Sequence, residues 1–139
     1  MNTLPKFGPF PKGYAIPGDS VSVQVGALTV RATLEHDNDS RPEDSECYTL
    51  EQIAAWKRED WFFVGVVLSV HIGDRVLDDH AASLWAVDCN FPGSDNSYLS
   101  DVADELLPEA LAAAKTACES WSLDIAVALE TLSTIGDKS

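Results

Sequence analysis

The stretch Trp61-Phe62-Phe63-Val64-Gly65-Val66-Val67-Leu68-Ser69-Val70-His71-Ile72, followed by Gly73-Asp74, decides the fold. It is rich in Val and Phe and nearly continuous in apolar character, the mark of a strand covered on both faces. Gly73-Asp74 makes a tight turn into Arg75 to Leu77, and a return strand runs through Leu84, Trp85 and Val87 to Phe91. Between them Asp78-Asp79-His80-Ala81-Ala82 interrupts the pattern, which predicts a bulge or short excursion there.

Working outward from this hairpin, a second one lies upstream. Val21, Val23 and Val25 alternate, Gly26-Ala27 turns, and Leu28, Val30, Ala32 and Leu34 alternate again. The polar loop Glu35 to Cys47 follows, with Pro42 inside it. Thr49-Leu50-Glu51-Gln52 then has capping-box spacing, and Ile53, Trp56 and Lys57 continue at helical intervals, predicting a short helix that ends near Asp60.

Downstream, Pro92-Gly93-Ser94-Asp95-Asn96 is a loop in which Asn96 or Ser97 is placed to cap the next helix. There Leu99, Val102, Leu106, Ala110, Ala113, Ala117 and Trp121 share one stripe. Pro108 removes a backbone hydrogen bond, so two helices meeting at Leu107-Pro108 is the less costly arrangement. Residues 122–135 alternate like a strand at Leu123, Ile125, Val127 and Leu129, yet Ile125, Ala128, Leu132 and Ile135 fit a helix. Ala content and run length favour the helix.

Pro5, Pro9, Pro11 and Pro17 bar regular structure from the N-terminus, whose aromatics Phe7, Phe10 and Tyr14 suggest an arm laid over the domain. The reading is therefore an α+β two-layer sandwich, an antiparallel sheet of about four strands in two hairpins with helices on one face. Residues 1–18 form a Pro/Gly-rich arm and 19–139 a single domain.

Charge limits the function classes. The 139 residues hold 23 Asp plus Glu against 9 Lys plus Arg, a formal net charge of -14. Such a surface repels phosphate backbones and anionic membranes and attracts basic partners, so a basic protein partner is expected, with no direct nucleic acid and no membrane. Oligomeric state is not legible in the pattern. The chain is not a disordered acidic tail, because it carries four Trp and β-branched runs. Met1 to Lys12 has no apolar core of a signal peptide, and the run Trp61 to Leu68 is too short to span a bilayer, which predicts a cytoplasmic protein. Cys47, Cys89 and Cys118 share no C-x-x-C spacing and read as free, buried thiols.

The candidate partner-binding residues are acidic. Asp101, Glu105 and Glu109 recur at every fourth position, with Asp104 beside them, and Glu43, Asp44 and Glu46 cluster in the loop. Carboxylates so spaced on a helix lie about 5–6 Å apart, close to the phosphate step of a nucleic-acid strand. The same ladder also reads as a solvated face. Catalysis has less to stand on: no nucleophile elbow, cysteine-protease signature or phosphate loop occurs, and no cofactor is implied. The alternatives are a small metal-dependent enzyme or ligand binder using Asp78, Asp79 and His80, and a structural or oligomerisation module. Against a metal, adjacent strand residues point to opposite faces, and in the calcium-loop-like start at Asp37-x-Asp39 the sixth position is Pro42 where Gly is needed.

The segments Cys47-Tyr48-Thr49 to Trp56-Lys57, Trp61 to Val70, Leu77 to Trp85 and Asn90 to Leu99 resemble small uncharacterised acidic proteins encoded on bacteriophages and plasmids of proteobacteria. That group brings no established active site, so no residue role carries over. The resemblance implies an accessory protein of a mobile element, a setting in which acidic inhibitors of host defence occupy nucleic-acid-binding surfaces.

Overall fold

The apolar run becomes the strand β3 (Phe62–Ile72) of a computed structural model that describes residues 3–136. On one side β3 pairs antiparallel with β2 (Leu28–His36) and on the other with β4 (Arg75–Cys89); β1 (Ser20–Val25) pairs with β2, giving the order β1-β2-β3-β4. Both expected hairpins are present. Gly26 and Gly73 occupy the turns with φ of 58° and 56°, a left-handed conformation that costs a side-chain-bearing residue more than it costs glycine.

The β2–β3 ladder is regular from Leu28↔Ile72 to His36↔Val64. The β3–β4 ladder is not: fifteen residues of β4 oppose eleven of β3, and three register shifts absorb the excess. One falls between Asp78 and Ala82, where the pattern breaks, and another just before it at Leu77. The third sits at Ala86, which has φ of 58°.

Alternation along the strands sends Val30, Ala32, Leu34, Val64, Val66, Leu68 and Val70 to one face, and every one of them is fully buried. Each such side chain contributes roughly 1.5–3 kcal/mol of transfer free energy. The cover is α2 (Ser97–Gly136), through Leu99, Val102, Ala103, Leu107, Ala110 and Ala114, together with Phe7, Phe10 and Ala15 of the N-terminal segment. The other helix, α1 (Leu50–Lys57), does not lie along the sheet. It belongs to the β2–β3 connection, behind a single 3-10 turn (Pro42–Asp44). Its capping box is complete, the Gln52 N–H donating to Thr49 Oγ1 (3.1 Å) and the Thr49 N–H to Gln52 Oε1 (2.8 Å). Ala55 then joins Trp61 and Phe63 in a second, smaller core, with Tyr48, Trp56 and Phe91 packed around it.

Three expectations are corrected. The chain does not break at Leu107-Pro108: α2 is one helix of 40 residues with Pro108 inside it. Leu107 on one side of the proline and Ala110 and Ala114 on the other are all buried on the same sheet, and that shared burial offsets the lost hydrogen bond. Neither Asn96 nor Ser97 caps α2 as expected, since the Asn96 side chain turns inward and the Ser97 N–H is met by Asp95 Oδ1 (3.0 Å). Of the three thiols only Cys89 is buried, while Cys47 and Cys118 are exposed because the loop and the far half of α2 meet no other layer. Trp85 lies over Gly65, and Trp61 packs among Tyr48, Phe63 and Phe91.

Pro108 is solvent-exposed, so its replacement tests the continuous helix directly. Pro108→Ala restores the N–H that the Asp104 carbonyl lacks and should raise stability by about 1–3 kcal/mol in denaturant unfolding. A lowered midpoint would mean that the proline sets the path of α2 across the sheet.

Candidate interaction surfaces

Two buried polar groups organise the surfaces. The first is a pair of amides. The Asn90 side chain accepts from the Ala15 N–H (2.7 Å) and donates to the Ala15 carbonyl (2.7 Å). Asn96 Nδ2 donates to Asn90 Oδ1 (2.9 Å) and to the Pro11 carbonyl (3.1 Å), and its Oδ1 accepts from the Asn90 N–H (2.9 Å). An N-terminal segment with four prolines cannot satisfy its backbone by pairing in a sheet, and these amides do it instead. Further along, Phe7 N–H donates to Asp104 Oδ1 at 2.8 Å.

The second is Asp37, 8% exposed at the end of β2. Its carboxylate accepts from the N–H groups of Asp39 (2.9 Å), Ser40 (3.1 Å) and Ala86 (2.9 Å) and from Ser40 Oγ (2.8 Å). Desolvation pushes its pKa up, but these four donors outweigh it and hold the group below the ordinary carboxylate value. The bond to Ala86 pins the β4 bulge at a left-handed alanine, a strained conformation that needs such support. Beside it, a Cβ on Gly65 would run into the Trp85 ring, so glycine is what lets that ring lie flat on the strand while staying 42% exposed.

At the same end of the sheet is an open cavity of about 620 Å³, lined among others by Tyr14, His36, Arg41, Trp56, Lys57 and Phe62. His36 and Phe62 stack with planes 7° apart. Its lining mixes aromatics, two cations and the carboxylates of Asp37 and Glu59.

The acidic candidates divide between two places. Asp101, Glu105 and Glu109 are exposed on the side of α2 turned from the sheet. Asp104 differs, being partly buried and bonded to the N-terminal segment, so its role is to hold that segment. Glu43, Asp44 and Glu46 are exposed in the β2–β3 connection. That connection packs, through Tyr48 and Trp61, on Phe63, which points away from the α2-covered face. The two groups therefore lie on opposite sides of the sheet. Asp78, Asp79 and His80 stand on β4, where the His80 N–H donates to Asp78 Oδ1 (3.0 Å) and the His80 ring lies 2.9 Å from Ser83 Oγ. Among the described residues no three His, Cys, Asp or Glu side chains converge as metal ligands. The Cys89 thiol is pushed up to about 12, by burial first and then by Asp19 and Asp88, and is inert as a nucleophile.

Sequence reasoning missed Asn90, Asn96 and the Asp37 hub. Asp37 alone left a signal, since Asp-x-Asp-Ser is a common way to close a loop on a carboxylate. The chain matches no protein-family model, no curated protein and no solved structure. None of the described helices is long and apolar enough to cross a membrane.

Two carboxylates yield opposite expectations. Asp37 has a lowered folded pKa, so its stabilisation is present above the unfolded value and is lost as pH falls through the folded one. Asp37→Asn should cost about 1–3 kcal/mol at neutral pH, and the deficit should shrink in acid. Burial raises the pKa of Asp88, so its charged form opposes folding at neutral pH and the penalty lifts as pH drops through the raised value. Asp88→Asn should therefore raise the neutral-pH melting temperature and leave the acid one nearly unchanged. Thermal melts of both variants across acid and neutral pH check the pair.

Proposed function

We propose that this chain is a non-enzymatic binding protein that engages a basic protein surface through its carboxylates. The observation that carries the reading is the lack of internal compensation. Against 23 acidic residues stand 9 basic ones, and among the described residues the single ion pair is Arg58–Asp60 at 3.0 Å on the surface. Like charges at Asp101, Glu105 and Glu109 weaken a helix by a few tenths of a kcal/mol per pair, a cost without structural return. A partner presenting Lys and Arg recovers that cost and gains a steered encounter.

The spacing along α2 suits a surface that otherwise holds a nucleic-acid strand, and a mobile-element inhibitor of host defence is the setting in which such a mimic acts. Of the two acidic groups, the α2 ladder is the better candidate, because a single rigid helix fixes the carboxylate spacing.

A partner captured from host lysate and identified by mass spectrometry should bind with an affinity that falls steeply with salt, since exposed charges are screened beyond about 8 Å at physiological ionic strength. Glu105→Gln with Glu109→Gln should weaken binding about tenfold or more, while thermal stability holds or rises slightly. Affinity indifferent to both salt and the double variant would reduce the ladder to a solvated face.

A further inference from the structure

Beyond Ala117, α2 leaves the sheet and every residue to Gly136 is exposed. Trp121 is 37% exposed, Ile125 54%, Leu132 62% and Ile135 62%. These side chains are not scattered. The buried face of α2 runs through Leu107, Ala110, Ala114 and Ala117 at steps of three and four, and the same steps continue through Trp121, Ile125, Ala128, Leu132 and Ile135. The stripe that seats the helix on the sheet therefore runs on past the sheet's end with nothing against it.

A helix in this state lacks its main source of stability. Residues 118–136 span about 28 Å at 1.5 Å per residue, and Ile125, Val127, Thr131, Thr134 and Ile135 are β-branched and poor helix formers. Helical segments of this length draw most of their stability from packing an apolar face. Side chains so exposed present on the order of 100 Å² each, so the stripe offers roughly 500 Å² and, with Leu129 at its flank, roughly 600 Å². Two copies would bury about 1,200 Å² in all, the lower end of the range for a standard interface.

We infer that the distal half of α2 is a self-association element that pairs antiparallel with the same segment of a second copy. Charge selects this occupant. Residues 118–136 carry Glu119, Asp124 and Glu130 and no Lys or Arg, and Glu119 and Glu130 fall on the side of the helix away from the stripe, which leaves Asp124 at its edge. A basic partner finds little here to recognise, and a membrane-surface helix would carry Lys or Arg on its polar face. A second copy meets neither obstacle. Charge also sets the orientation, because parallel pairing would bring two strongly acidic bodies side by side, whereas antiparallel pairing holds them at opposite ends. A two-fold axis at Ala128 brings the two alanines together at the closest approach, sets Ile125 near Leu132 of the second copy and Trp121 near Ile135, and opposes no carboxylate with another.

Light scattering of the full chain after size exclusion should give twice the 15.0 kDa of one chain at micromolar concentration. Ile125→Glu with Leu132→Glu should give monomer with the near-ultraviolet signal of Trp61 intact, and Leu123→Glu, on the far side of the helix, should remain dimeric. With Cys47→Ser and Cys118→Ser as background, Ala128→Cys should oxidise to a cross-linked dimer and Ile135→Cys should not. A monomer at every concentration, equal sensitivity to Leu123→Glu, or efficient linkage through position 135 would each overturn the inference. So would a monomer that co-sediments with phosphatidylglycerol vesicles, which would assign the stripe to lipid.

Discussion

The side chains of Asn90 and Asn96 lie 2.9 Å apart, and three parts of the molecule converge on that bond. Asn90 closes β4, Asn96 precedes α2, and between them they satisfy the backbone of Ala15 and Pro11. An amide is suited to this because it donates and accepts at once, whereas a carboxylate could not serve both the N–H and the carbonyl of Ala15. Both asparagines adopt positive φ, at 62° and 64°, a conformation that asparagine tolerates better than most residues. Once the amides are joined, Phe7, Phe10 and Ala15 are placed over the sheet, and the start of α2 is aimed along the same face. The covered layer is assembled around a polar bond buried at its edge.

Carboxylates do two kinds of work, separable by their donors. Asp37 and Asp104 accept backbone N–H groups from segments far away in sequence, Ala86 and Phe7, and act as fasteners. Asp101, Glu105 and Glu109 point into solvent. Net charge does not discriminate between these classes, since a hydrogen-bonded carboxylate counts the same as a free one. The sites where burial and charge conflict are informative: Asp37 resolves the conflict with four donors, and Asp88, raised by burial alone, does not.

How much was legible follows from how local each cause is. Strand β3, both hairpins, the capping box of α1 and the bulged region of β4 rest on alternation, turn glycines and short side-chain reach, all written within a few residues. The continuity of α2 through Pro108 was not legible, because the local cost of proline is offset by burial on a sheet whose position the helix sequence does not contain. Asn90 and Asn96 escaped for the same reason: their partners lie 75 and 85 residues away. Of the acidic candidates the helical ladder was recognisable as a set. Its separation from Glu43, Asp44 and Glu46 depended on which face of the sheet each connection takes, and Asp104 was lost from the set only once the N-terminal segment was seen to reach it.

The same helix carries both surfaces of interest, and their separation along it has a physical logic. Over the sheet, the inner face of α2 is occupied and its outer face bears Asp101, Glu105 and Glu109; past the sheet, the inner face is exposed and Glu119 and Glu130 keep to the outer one. A ladder of carboxylates on the distal half would sit where the apolar face already competes for contact. One helix thus exposes two surfaces of different chemistry at different points along its length, carboxylates on the outer face over the body and an apolar stripe on the inner face past the sheet.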